Sequence, residues 1–234
     1  LLGVEVIITA LCIFLLSKRI EMSRDNYAVP VVWEHTFQFD AADVHALTTY
    51  KLLVVSDFHL GYIINRPALE KYVDAINSHH PDIIVIDGDL VDYFLQPLVE
   101  AEMDVVLNDL KAPLGVYFIP GNHEYKLDAE ANFNWIRSAG ITVLKDSIAN
   151  IDDQLYLIGW DDYSNRENRV SLESLIAKVP DRNSCILFAH QPKDIEEAVE
   201  QHIPLTISGH THNGQFFPAN LFSLVYNNFY GLHK

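Results

Sequence analysis

Residues 208–215 read SGHTHNGQ, placing His210 and His212 one threonine apart directly after the apolar run IPLTI. On an extended backbone a spacing of two points both imidazoles to the same face. Gly209 and Gly214 would let the chain turn sharply and approach whatever the rings bind. A metal ion is the natural occupant of such a pair. Four further blocks carry similar side chains: Asp57 and His59 in SDFHLG, Asp89 in IDGDL, Asn122 and His123 in PGNHEY, and His190 in FAHQP. Each one alone is an ordinary turn or capping residue. Five blocks that all follow apolar runs and all bring metal-capable groups are poorly explained as independent turns. Aspartate, histidine and asparagine without thiolate suit manganese, iron or zinc and serve copper(I) poorly. The candidate ligands Asp57, His59, Asp89, Asn122, His190, His210 and His212 are too many for one four-coordinate ion. Two ions about 3.5–4 Å apart, sharing one carboxylate, would use them all and clamp an in-line displacement.

Residues this far apart converge only if the strands before them end together. From residue 51 the chain alternates short apolar runs with helical stretches, the pattern of an α/β domain. Strands are expected at 51–57, 82–89, 115–122, 141–144, 154–161, 184–190 and 204–210. The apolar residues of PALEKYVDAINSHH and LVEAEMDVVLNDLK recur at three and four and predict amphipathic helices. Ligands of open α/β sheets gather beyond the carboxyl ends of the strands, and that is where these residues fall. The stretch 25–50 reads as linker with an edge strand in VPVVW or TFQF, because Pro30 would spoil a central one.

A net charge of −16, from 32 acidic against 16 basic residues, argues against a nucleic-acid scaffold function. Cys12 and Cys185 offer neither a disulfide framework nor a CxxC site. The opening LLGVEVIITALCIFLLS, followed by Lys18 and Arg19, is expected to be the end of a transmembrane helix over 1–17, with a buried core helix as the alternative. Lys18, Arg19 and Arg24 favour a cytoplasmic domain after it. The expected organisation is thus a membrane segment at 1–17, a linker at 18–50 and a catalytic domain at 51–234.

The series DFH at 57–59, GD at 88–89, GNHE at 121–124, His190 in AHQP and GHTH at 209–212 resembles the calcineurin-like metallophosphoesterases, in order, across residues 51–217. The wording SDFHLG, GVYFIPGNHEY and SGHTHNGQFFP is similar to the membrane-anchored bacterial branch, while DFHLG is shared with soluble UDP-diacylglucosamine pyrophosphatases. The resemblance implies a four-layer α-β-β-α sandwich and a phosphomonoester or phosphodiester substrate, of lipid, nucleotide or cell-envelope origin. It further implies Asp57, His59 and His212 on one ion, Asn122, His190 and His210 on the other, and Asp89 bridging. His123 would bind no metal but help the leaving oxygen depart, with a metal-bridging hydroxide as nucleophile. The alternatives are a lipid pyrophosphatase and a non-catalytic metal-binding module at the membrane. The sequence departs from the family pattern at Asn213, where glycine is frequent, and at Trp160, where a basic residue is expected. It also ends at YGLHK, where the family continues with further strands, so the sheet edge is expected to be incomplete. Arg166 and Arg169, in DDYSNRENR, read as part of a solvated loop, with contact to a substrate phosphate as the alternative. His35, His45, His79, His80, His202 and His233 have no motif around them.

Overall fold

The computed structural model describes residues 32–39, 49–193, 195–212 and 231–232. The segment 1–17, the basic residues after it and the stretch 213–230 lie outside these. Among the described residues no helix is long and apolar enough to cross a membrane. Residues 32–38 belong to a separate unit and are exposed; no strand forms over TFQF, and most of the alternative edge strand VPVVW lies outside the described residues.

Continuous apolar strands whose successive side chains point to opposite, equally buried faces explain the architecture of the remainder. Strands β1 (Leu52–Val55), β2 (Ile83–Asp87), β3 (Val116–Ile119) and β4 (Thr142–Val143) form one sheet in that order, parallel throughout. Strands β5 (Ser147–Ile151), β6 (Leu155–Gly159), β7 (Cys185–Phe188) and β8 (Leu205–Ile207) form a second, antiparallel only between β5 and β6. In β2, Ile84 and Ile86 join Phe118 against α1 (Arg66–Ser78), α3 (Met103–Leu107) and α4 (Ala129–Ser138) through Leu69, Val106 and Phe133. Ile83 and Val85 point the other way and meet Leu157, Ile186 and Phe188 of the second sheet. On that sheet's far side, Ile158 and Leu187 pack under Leu172 and Leu175 of α5 (Leu172–Ile176) and Ala198 of α6 (Ile195–Glu200). Three apolar layers between four layers of backbone make the expected α-β-β-α stack. Each buried aliphatic side chain contributes about 1.5–3 kcal/mol to holding the layers together.

Two elements differ from expectation. The helix expected over LVEAEMDVVLNDLK is split into α2 (Gln96–Glu100) and α3, because Glu102 takes a left-handed conformation at φ 49°. β5 was not expected; it forms a hairpin with β6 through a turn closed by Gln154 N–H donating to Ile151 O. Asp152 and Asp153 sit at φ 53° and 58° in that turn, the two positive values a type I′ turn needs.

Candidate metal centre

Five of the seven expected strands deliver their end residues to one place. β1 leads into Asp57 and His59, β2 into Asp89, β3 into Asn122 and His123, β7 into His190 and β8 into His210 and His212. The last pair is not on extended backbone, contrary to the period-two reading. His210 and His212 lie beyond β8 at φ 70° and 49°. Asp57, His59 and Asp89 are also left-handed, at 58°, 48° and 51°. Such backbone costs non-glycine residues of order 1–2 kcal/mol each and persists where the surroundings impose it. Here it peels each chain away from its strand so that the side chains turn inward. Gly209 allows the final approach, since a Cβ there would lie 1.9 Å from Ser56 Oγ.

The rings of His210 and His212 go to different groups. Asp57, His59 and His212 bring one ligand atom each within 4.8 Å of one another, and so do Asp89, His190 and His210. His212 Nε2 lies 3.1 Å from Asp57 Oδ1 and 3.1 Å from His59 Nε2. Asp89 Oδ2 is 3.2 Å from His190 Nε2 and 3.9 Å from His59 Nε2, so its carboxylate reaches both groups. Asn122 is tied in by its neighbour, for His123 N–H donates to Asp89 Oδ1 at 2.8 Å.

The surrounding shell presents lone pairs to this space. His190 Nδ1–H donates to the Asp87 carbonyl at 2.7 Å, which turns Nε2 toward Asp89. Gly88, at φ 79°, leaves room for that ring, because a Cβ there would lie 2.4 Å from it. Buried Asp57 Oδ1, Asn122 Oδ1 and His190 Nε2 have no hydrogen-bond partner with proper alignment, despite the short contacts above. Asp57 Oδ1 and Asn122 Oδ1 are acceptors whose burial is costly unless a cation satisfies them, and His190 Nε2 joins them once its proton is displaced, so the donor set fits divalent metal ions. The charges agree. Burial pushes the Asp57 carboxyl up, but His212, Ser56 and His190 more than reverse this and hold it at about 2. Burial pushes His59 and His210 down, toward the neutral form that coordinates.

Several contributors were assigned no role in the site from sequence, although Glu124 and Gln191 lie within the GNHE and AHQP blocks. Glu124 is fully buried and accepts backbone N–H groups from Asp89, Val91 and Gly121 at 3.1, 3.0 and 2.9 Å, locking two of the strand-end loops together. Burial pushes its carboxyl up to about 7. Asp92 Oδ1 lies 3.2 Å from His123 Nδ1 and 3.5 Å from His59 Nδ1, so His59, Asp92 and His123 form a third group with ligand atoms in reach of each other. Lys126 Nζ stands within hydrogen-bonding distance of His123 Nε2. Gln191 Nε2 donates to both oxygens of buried Asp162, linking the 162–165 turn to the end of β7. Trp160, expected to be basic, is a packing residue: it is buried, its Nε1–H donates to Val170 O, and Arg169 stacks on its ring at 3.6 Å. Arg166 is exposed, in keeping with the solvated loop.

The calcineurin-like phosphoesterase family profile matches residues 50–214. Over 204 residues the chain is 35% identical to a transmembrane protein with metallophosphoesterase domain from Danio rerio, a match covering 81% of this chain and 46% of that protein. An uncharacterized metallophosphoesterase of Helicobacter pylori is 31% identical over 215 residues, covering 90% of this chain and 56% of its own. One from Bacillus subtilis is 28% identical over 196 residues, covering 78% and 64%. The chain spans about half the length of the first two relatives. With the profile running from the start of β1 through the last of the convergent histidines, the chain belongs to the calcineurin-like phosphoesterase family.

Proposed function

We propose that this domain hydrolyses a phosphomonoester or phosphodiester using two divalent cations, drawn from manganese, iron and zinc. Asp57, His59 and His212 would hold one, Asn122, His190 and His210 the other, with Asp89 shared. The observation that carries this reading is the Asp89 carboxylate between the two groups, 3.2 Å from His190 and 3.9 Å from His59. When bound, the cations would lower the pKa of a water and neutralise charge on the phosphoryl oxygens. His123 is the proton donor to the leaving oxygen. Its Nδ1–H donates to the Asp92 carbonyl, so Nε2 would be the atom that moves the proton, once it takes one up and gives up its present contact with the Lys126 ammonium.

The N-terminal apolar segment would attach this domain to a membrane, and a lipid or cell-envelope phosphoester would then be its substrate. Support comes from the residues of 1–17 and from vertebrate relatives whose names describe transmembrane proteins. Removal of residues 1–25 should turn an association that resists alkaline carbonate into one that carbonate strips; resistance that persists would refute the anchor. For the chemistry, purified protein loaded with manganese should turn over p-nitrophenyl phosphate or bis-p-nitrophenyl phosphate. Metal-loaded protein inert to both would favour a non-catalytic module.

A further inference from the structure

The loops leaving β1, β2 and β3 carry five large apolar side chains into solvent: Tyr62 (76% exposed), Ile63 (84%), Tyr93 (46%), Phe94 (54%) and Leu127 (57%). Each lies within five residues of His59, Asp89 or His123, a chain length that at full extension spans about 18 Å. The loops form one rim. Leu60 N–H donates to Leu90 O at 2.8 Å and Asp92 N–H to Leu60 O at 3.0 Å. The Tyr93 and Phe94 rings are 5.3 Å apart, and Lys126, the chain neighbour of Leu127, sits 5.2 Å over Tyr93. By contrast, the 163–168 loop beside the second sheet is polar, with Ser164, Asn165, Arg166 and Glu167.

A row of exposed apolar groups around a reactive centre marks a contact surface; its side-chain types and the chain's own apolar segment choose the occupant, and the net charge sets the mode of contact. Tyrosine, phenylalanine and a neighbouring lysine are the side chains that settle at the head-group level of a bilayer. A net charge of −16 makes electrostatic adsorption to an anionic surface unfavourable, leaving apolar insertion as the means of contact. The same chain carries LLGVEVIITALCIFLLS followed by Lys18 and Arg19, the composition of a segment that resides in lipid. We infer that the rim of Tyr62, Ile63, Tyr93, Phe94 and Leu127 rests in the bilayer interface and holds the metal centre at head-group level. The inference builds on the reading of that centre as a phosphoesterase.

The test uses the full chain carrying Cys12→Ser, with an environment-sensitive fluorophore on Ile63→Cys or Phe94→Cys, reconstituted in phosphatidylcholine vesicles. Cys185 is buried and will not label. Emission at both sites should shift to the blue and be quenched by lipids brominated in their chains. A label on Val199→Cys, exposed on α6, should stay water-like. Water-like emission at both rim sites overturns the proposal. A blue shift that brominated lipid does not quench overturns it too, because a protein surface would then be the cover. Hydrolysis of p-nitrophenyl phosphate by the same preparations reads the metal chemistry separately, so an active enzyme with a wet rim refutes the membrane contact alone.

Discussion

His59 Nε2 and His212 Nε2, 153 residues apart in the chain and delivered by strands of different sheets, face each other at 3.1 Å. Two imidazole nitrogens so placed share a proton or a cation, and with Asp57 Oδ1 equally close to His212 a cation answers all three. Chelation should therefore abolish hydrolysis. Manganese should restore it at least as well as magnesium, which imidazole ligands disfavour. Asp89→Ala should cost both ions and His212→Ala only one, as read by metal analysis of the purified variants. Full activity with magnesium and no transition metal would contradict the assignment.

Metal loading should release protons. Burial works against charge on His190, but Asp89, then Asp87 and Asp57, more than compensate and raise it from the usual 6.5 to about 10 in the metal-free protein. A coordinating imidazole must be neutral, so at pH 7–8 cation binding displaces this proton and affinity rises with pH. The folded-state pKa being raised, His190 stabilises the metal-free fold fully below about 6.5, and this contribution is lost as pH climbs through about 10. Calorimetry in buffers of different ionisation enthalpy should show the release. Proton-neutral binding at pH 7.5 would rule it out.

His123→Ala should keep both ions yet lose about 10²- to 10⁴-fold in rate on an ester with a poor alkoxide leaving group. The loss on a p-nitrophenyl ester, which needs little protonation, should be much smaller. Equal losses would assign His123 to positioning the phosphate. Loss of an ion would make the group of His59, Asp92 and His123 a true metal site.

The parts of this centre legible in sequence are those that follow from strand geometry. Asp57, Asp89, Asn122 and His190 stand at the ends of apolar runs, and parallel strands place such ends together. The His210–His212 pair was legible in kind but not in conformation, since period two presumes extended backbone and both residues are left-handed. β5 went unseen because SIANI breaks the apolar alternation, its burial is mostly partial, and its turn uses Asp-Asp instead of a glycine-containing pair. The helix break at Glu102 left the three-four periodicity intact and so gave no sign. Glu124, Asp92 and Lys126 act through the backbone or through another side chain, a role that no spacing encodes.

Glu124→Gln should destabilise the fold by about 1–3 kcal/mol, because its amide NH₂ would face a backbone N–H where a carboxylate oxygen now accepts. For a domain of this size that lowers Tm by about 2–12 °C in a thermal scan. An unchanged Tm would show that these backbone donors find other acceptors.

The centre is divided between the two sheets, with Asp57, His59, Asp89 and Asn122 on the first and His190, His210 and His212 on the second. A ribosome delivers the first sheet well before the second, since chains emerge and fold from the N-terminus. An early cation would meet a hard, oxygen-rich half-cup, and only the late arrival of three imidazoles would convert it to a nitrogen-rich one. The identity of the retained metal would then be decided by exchange at the close of synthesis, when the second sheet docks, and not by whichever ion the nascent chain encounters first.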